Sequence, residues 1–429
     1  MSLNIGVVGG GWAGLSAAIE LTSAGHHVTL YEAAKEPGGR AKGVYLNGAT
    51  LDNGQHLLIG AYSETLRLME RVEPGSSVSG FLRVPLTLDY PEGVLIRAPK
   101  LPAPLHLAAA LLLARGLSWP DKLAAIAFMR GLKNSNFNPP AQTSVQDAIA
   151  HQPERVRRYL WEPLCVAALN TPVEIASYQV FARVLKDALT GRAANSELLI
   201  PARDLSNLFP QPTIRWLHKQ GSIVKTRCRV LALAREAQGW KLTHQHGESR
   251  HDNILLATSP TQAANLLENL PNSAAYIQPM HTLTYQPIVT VYADFPAPLP
   301  FRTPLLGWVD PVPLFVFDMQ ASRGMVGRIA VVASADGTHL EWDDARWQTE
   351  IHTRMQQAMG KLPVPKIIQC ITEKRATFSC TPDMARPDHS TPYPGLYLAG
   401  DYTNGPYPST LEGAVRSGVK CAQTLLASS

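Results

Sequence analysis

Three glycines near the N-terminus, Gly9-x-Gly11-x-x-Gly14, constrain this 429-residue chain more than any other feature. They sit between an apolar run, Asn4 to Val8, and a stretch of good helix formers, Ala13 to Ala24, that Gly25 stops. A second apolar run, His27 to Tyr31, follows and ends on Glu32. Strand, glycine turn, helix and strand in about thirty residues make one βαβ unit. The first glycine allows the tight turn, the second lets backbone approach a pyrophosphate, and the third lets helix pack on strand. The helix then points unpaired N–H groups and a positive dipole end at the phosphates. Backbone at Trp12 and Ala13 belongs to that first turn. Glu32 is placed to accept hydrogen bonds from ribose hydroxyls and would repel a 2′-phosphate.

The segment after Glu32 separates the dinucleotides. Pro37-Gly38-Gly39-Arg40-Ala41 sets an arginine on a glycine turn, where it can form paired, charge-assisted bonds to a pyrophosphate. That extension points to FAD rather than NAD. A second anchor lies near the C-terminus. The apolar run Gly395 to Ala399 ends in Gly400-Asp401, where the acid suits a ribityl hydroxyl. A helix is expected from Ser409 to Leu426. Its first turns, with Leu411, Glu412, Gly413 and Ala414, would face the flavin with a positive end.

The rest of the chain limits the choice of function. The net charge of +5 is mild and scattered, with no basic stripe carrying interleaved aromatics, so nucleic acid is not an expected partner. The cluster Arg155, Arg157 and Arg158 reads as a solvated helix face, or as a patch for anionic lipid. Five cysteines without a CxxC pair argue against a disulfide framework or a zinc site; no metal is expected, and a reducing cytoplasm fits. No signal peptide is visible. The longest apolar stretch, Leu105 to Ala114, falls short of the ~20 residues a membrane span needs. There is no second GxGxxG, so electrons must come from an external donor.

The expected fold class is α/β. An FAD-binding, Rossmann-like domain with a parallel sheet takes residues 1–80, 201–265 and 385–429. A mixed α+β substrate domain takes 81–200, mostly helical, and 266–384, richer in strand. Helices are expected at Leu105 to Gly116, Asp121 to Leu132 and from Arg215 toward Gly221. Strands are expected at Ser222 to Lys225, Arg229 to Arg235, Trp240 to His244, Asn253 to Ala257, Leu283 to Phe295 and Arg328 to Ser334. Trp161, Trp216, Phe181 and Phe209 read as core, or as the wall of a pocket for a long apolar substrate. Leu105 to Met129 reads as a buried helix pair, or as a hydrophobic face lying on a membrane.

Taken together, Gly9 to Gly14, Glu32, Gly38-Gly39-Arg40, Gly400-Asp401 and Leu411 to Ala414 resemble the amine oxidase and phytoene desaturase superfamily of flavoproteins. The resemblance spans both ends of the chain. It implies that Val230, in the run Arg229-Val230-Leu231, supplies an adenine-side contact. Leu51-Asp52-Asn53-Gly54-Gln55-His56-Leu57-Leu58-Ile59-Gly60 is similar to one branch, the hydroxysqualene dehydroxylases. So are Trp161-Glu162-Pro163-Leu164 and Ala168-Leu169-Asn170-Thr171-Pro172. Pro201-Ala202-Arg203-Asp204-Leu205 departs from the Pro-x-Gly-Gly-Leu usual in the wider superfamily, in favour of this branch. The branch implies that hydroxysqualene and reduced FAD give squalene and water, in hopanoid-type lipid synthesis. It also implies that Gly54, Gln55 and His56 reach the flavin. His56 would then be either the proton donor to the departing hydroxyl or a group that only orients its neighbours. Two other functions share the scaffold: a desaturase or oxidase of a carotenoid precursor, porphyrinogen or amine, and a non-catalytic isoprenoid-binding flavoprotein.

Overall fold

The computed structural model describes residues 2–46 and 48–428. At its centre is a five-stranded parallel sheet made from four separated stretches of chain. Strand β1 (Asn4–Val8), helix α1 (Trp12–Ser23) and strand β2 (His27–Tyr31) form the expected βαβ unit. Strands β3 (Ile223–Lys225), β4 (Asn253–Leu256) and β5 (Leu396–Leu398) complete the order β3-β2-β1-β4-β5. Every pairing in it is parallel. These strands are continuous apolar runs rather than alternating ones because both faces are covered, one by α1 and the C-terminal helix, the other by the antiparallel strands within 230–251 and helix Pro260–Leu267. Ile5, Val7, Leu255 and Leu398 have no exposed surface.

The C-terminal helix α2 (Leu411–Ala427) packs against α1. Their backbones approach so closely that a Cβ on Gly418 would lie 2.0 Å from the Ala13 carbonyl oxygen. The two ends of the chain therefore meet, as the motifs required. Between β3 and β4 a three-stranded antiparallel meander (230–235, 240–244 and 247–251) packs on one face of the sheet through Val230, Leu233, Trp240 and Leu242. Its third strand, Gly247–His251, carries no apolar alternation and was not foreseen.

A second five-stranded sheet, antiparallel, is tied to the cofactor-side segments by bonds from Arg40 to the Ala376 carbonyl and from the Gln55 N–H to Thr290. Its order is Leu305–Trp308, Leu314–Asp318, Arg328–Ser334, Tyr285–Asp294 and Lys366–Phe378. Helix Asp344–Met359 packs on it through Trp347, Ile351 and Met355. The stretch from Pro85 to Leu205 is less uniformly helical than its composition suggests. It includes the hairpin Thr87–Tyr90/Val94–Arg97 and strand Leu198–Pro201, which pairs with Leu58–Ile59 and Phe81–Val84. Helix Pro210–Lys219 begins five residues before the expected start, because Pro210 occupies the first helical position, where a missing N–H costs nothing. Trp161, Phe181 and Phe209 are buried core, and Trp216 packs half-buried against the core around α1. All five cysteines are free.

Candidate active site

The turn between β1 and α1 has the properties a pyrophosphate needs. Gly9 holds φ at +108°, and a Cβ there would meet the Ala257 carbonyl oxygen at 2.4 Å. On Gly14 a Cβ would lie 1.9 Å from the Gly9 carbonyl oxygen, so only glycine lets α1 close on the turn. Gly11 is different: the nearest atom to a Cβ there is Gly39 Cα at 3.9 Å. Helix α1 starts at that open spot with no side-chain cap and no acid in its first turn. Uncapped N–H groups beside open space suit an anion. The side chains of Trp12 and Ala13 point into the core; the Trp12 indole donates to the Ala41 carbonyl at 3.0 Å and stacks on Phe209.

Glu32 sits beside this turn, its carboxylate accepting from the Gly10 and Ala34 N–H groups at 2.7 Å each. The Cys228 N–H donates to the Glu32 carbonyl, which brings buried Val230 to the same corner. The Gly38 N–H donates to the Gly10 carbonyl, so the Gly39-Arg40 turn lies against the first glycines.

Arg40 crosses from that turn to the other end of the chain. Its guanidinium pairs with Asp401 at 2.6 Å and donates to the Ala376 carbonyl of the antiparallel sheet. Ser409 donates to the second Asp401 oxygen. Burial opposes ionisation of Asp401, but Arg40 and the bonds from Arg40 and Ser409 outweigh it and hold the carboxyl below its usual range. Ser409 is thus an anchor for Asp401, and α2 begins two residues later, capped by Thr410 through the Gly413 N–H. The Gly400 N–H donates to Ser417 on α2. Leu411 and Ala414 lie half-buried on the core around α1. Glu412 is almost fully buried, and its carboxylate is committed elsewhere. It accepts from the Glu64 and Thr65 N–H groups, the Thr65 hydroxyl and Arg416. It caps helix Ser63–Val72, whose own N-cap residue, Tyr62, offers no side-chain bond.

The third component is the turn after Asp52. Asp52 is wholly buried, bound by Arg323 and by the Leu205 N–H at 2.8 Å. Tyr292 donates to its carbonyl at 3.0 Å. The Gln55 N–H donates to Thr290 of the antiparallel sheet, and the Gln55 side-chain oxygen is buried without a protein partner. Gly54 lies open, with a Cβ meeting nothing nearer than 3.8 Å. His56 Nδ1 is 2.7 Å from the Gly54 carbonyl oxygen, so Nδ1 carries the proton. Burial pushes the His56 ring below its ordinary pKa, against the Gly54 carbonyl and Asp52. The neutral ring therefore presents Nε2 as an acceptor.

Sequence reasoning missed Arg386, Thr290 and the Asp52–Arg323 pair. Arg386 donates to the carbonyls of Asp401, Tyr402, Gly405 and Tyr407 and so shapes the whole turn before α2. It lies in a proline-rich loop with no local pattern to mark it.

Residues 12–426 match the family described as flavin containing amine oxidoreductase. The chain belongs to that family. It is a flavin-dependent oxidoreductase, its cofactor is FAD, and its fold is the α/β fold of these flavoproteins. It is 27% identical to a hydroxysqualene dehydroxylase from Rhodopseudomonas palustris, covering all of this chain and 99% of that one. It is 25% identical to a 15-cis-phytoene desaturase from Narcissus pseudonarcissus, covering 99% of this chain and 79% of that one. An oxidoreductase from Methanosarcina mazei shares the fold with a TM-score of 0.75 over 98% of this chain, at 16% identity. The open, uncapped start of α1 is compatible with the pyrophosphate of FAD, and Glu32 and buried Val230 lie at the corner beside it. Among the described residues no helix is long and apolar enough to cross a membrane, and no cluster of His, Cys, Asp or Glu could hold a metal ion.

Proposed function

We propose that this protein converts hydroxysqualene to squalene. The observation that carries the reading is end-to-end similarity to a hydroxysqualene dehydroxylase, without the length difference that separates it from the phytoene desaturase. Reduced FAD supplies a hydride, and the hydroxyl leaves with one proton as water. The chain's own part is to hold the cofactor through residues 1–80, 201–265 and 385–429, and to shape a dry pocket from 81–200 and 266–384. Gly54, Gln55 and His56 stand where these two parts meet. With Nδ1 fixed on Gly54, neutral His56 accepts at Nε2 and orients a hydroxyl. Protonated, it donates to the departing oxygen. The two roles have opposite pH signatures: donation speeds turnover as pH falls through the depressed pKa of the His56 ring, and acceptance slows it. An apolar substrate of this kind suits a position peripheral to the inner face of the membrane, free cysteines suit the cytoplasm, and the lack of a second GxGxxG calls for an external electron donor.

The test is anaerobic mixing of dithionite-reduced protein with hydroxysqualene. Flavin reoxidation with squalene formed is the expected result. Binding without reoxidation identifies an isoprenoid-binding flavoprotein instead. The similarity to phytoene desaturase supports a second reading, and reduction of the oxidised flavin by phytoene would establish it.

A further inference from the structure

We propose that the helix pair Leu105–Leu112 and Trp119–Asn134 docks flat onto an anionic lipid bilayer. This rests on the isoprenoid reading only for its purpose; the surface itself is independent of it. Among the described residues fifteen large apolar side chains are exposed, and six of them lie within residues 105–126: Leu105, Leu112, Leu113, Trp119, Leu123 and Ile126. Leu113 is 70% exposed and Trp119 64%. A surface helix normally turns its apolar stripe inward and a polar face outward. Both of these helices are already satisfied on their inner side. His106 pairs with Ser196 Oγ at 3.0 Å, and Phe128 stacks on Trp161 at 4.8 Å. Trp119, Leu123, Ile126 and Ala127 recur at helical spacing on the opposite, outward face.

The outward faces form one patch. Lys122 donates to the Leu112 carbonyl at 2.8 Å and lies over the Trp119 ring, which sets the end of the first helix beside the start of the second. The patch also carries a charge bias. Lys100, Arg115, Arg130 and Lys133 are exposed around it. From Gly93 to Gln146 the sole acid is Asp121, buried and bonded to Ser118 in the helix cap. An apolar strip with tryptophan, carrying four exposed cations and no exposed acid on its own segment, with Glu154 on the neighbouring helix balanced by Arg155 and Arg158, is complementary to a bilayer of anionic lipid. It is not what a protein partner of mixed charge selects.

The FAD-loaded protein should float with vesicles of phosphatidylcholine and phosphatidylglycerol in equal parts, and only weakly with phosphatidylcholine alone. Leu113→Ser and Leu123→Ser should each cut the partition coefficient roughly tenfold, and Arg115→Glu with Arg130→Glu by at least as much. All these positions face solvent, so FAD content should be unchanged. Absence of binding to the anionic vesicles overturns the proposal. So does equal binding by the variants, or a parent that self-associates through this face and becomes monomeric when Leu113 and Leu123 are replaced. Vesicle binding needs no substrate, so it stands or falls separately from the dehydroxylation reading.

Discussion

Glu412 lies in the segment that resemblance assigns to the flavin, yet its carboxylate accepts from Glu64 in a helix 348 residues earlier in the chain. Replacing it tests which role dominates. In Glu412→Ala the Glu64 and Thr65 N–H groups and the Thr65 hydroxyl lose their acceptor. Loss of a helix cap costs about 1–2 kcal/mol. Leaving a buried donor unpaired adds about 1–3 kcal/mol, whereas the half-exposed link to Arg416 adds little. We expect a loss of about 3 kcal/mol. Glu412→Gln keeps one acceptor oxygen and should lose about half of that. The assay is urea unfolding of the apoprotein followed by tryptophan fluorescence, because bound FAD would add its own stabilisation and mask the difference. FAD stoichiometry, measured on the holoprotein before the cofactor is removed, should stay at one per chain. A Glu412→Ala protein as stable as the parent but unable to hold FAD would refute the capping role.

Other perturbations follow from the same geometry. Gly14→Ala puts a methyl group 1.9 Å from the Gly9 carbonyl oxygen, so the turn must open; the protein should purify without yellow colour, and normal flavin absorbance would contradict the fit. Asp52→Asn leaves Arg323 buried and uncompensated, which should cost about 3–5 kcal/mol in denaturant unfolding, while Asp52→Leu with Arg323→Met should recover much of it. Burial, with Lys225 nearby, lowers His251 from 6.5 to about 4. The unfolded chain therefore binds this proton more readily, and the His251 contribution is complete above pH 6.5 and is lost as pH falls toward about 4. His251→Asn should flatten that part of the pH–stability curve; an unchanged slope would show that the acid sensitivity arises elsewhere.

What the sequence disclosed divides along a physical line. The glycine fingerprint, Glu32 and the β1-α1-β2 unit form one short stretch of chain: Gly14 is dictated by the Gly9 carbonyl within one turn and Gly9 by the strand beside it, while Gly11 borders open space. The same holds for Gly400 and the start of α2, within two residues. Elements that depend on distant partners were not readable. Strand Lys366–Phe378 mixes charged and apolar residues because it is an edge strand, with one side paired to Tyr285–Asp294. Helix Asp344–Met359 was missed although Asp343 caps it, since its apolar stripe is thin. The contacts that tie separated segments together are long-range: Arg40 reaches Asp401 across 361 residues, and Arg323 reaches Asp52 across 271. A charged residue looks the same in sequence whether it is solvated, pairs with another residue or binds a phosphate. That explains how Arg40 and Asp401, read as separate contacts to two parts of one cofactor, turn out to hold each other. If the pair stays closed when FAD is bound, its role is to fasten the two ends of the chain around the cofactor; if it opens, Arg40 turns to the pyrophosphate. Arg40→Lys separates these outcomes. A lysine can keep the Asp401 contact but cannot form a two-point bond to a pyrophosphate. Unchanged FAD affinity would favour the fastening role, and roughly tenfold weaker binding, about 1.4 kcal/mol, the direct contact.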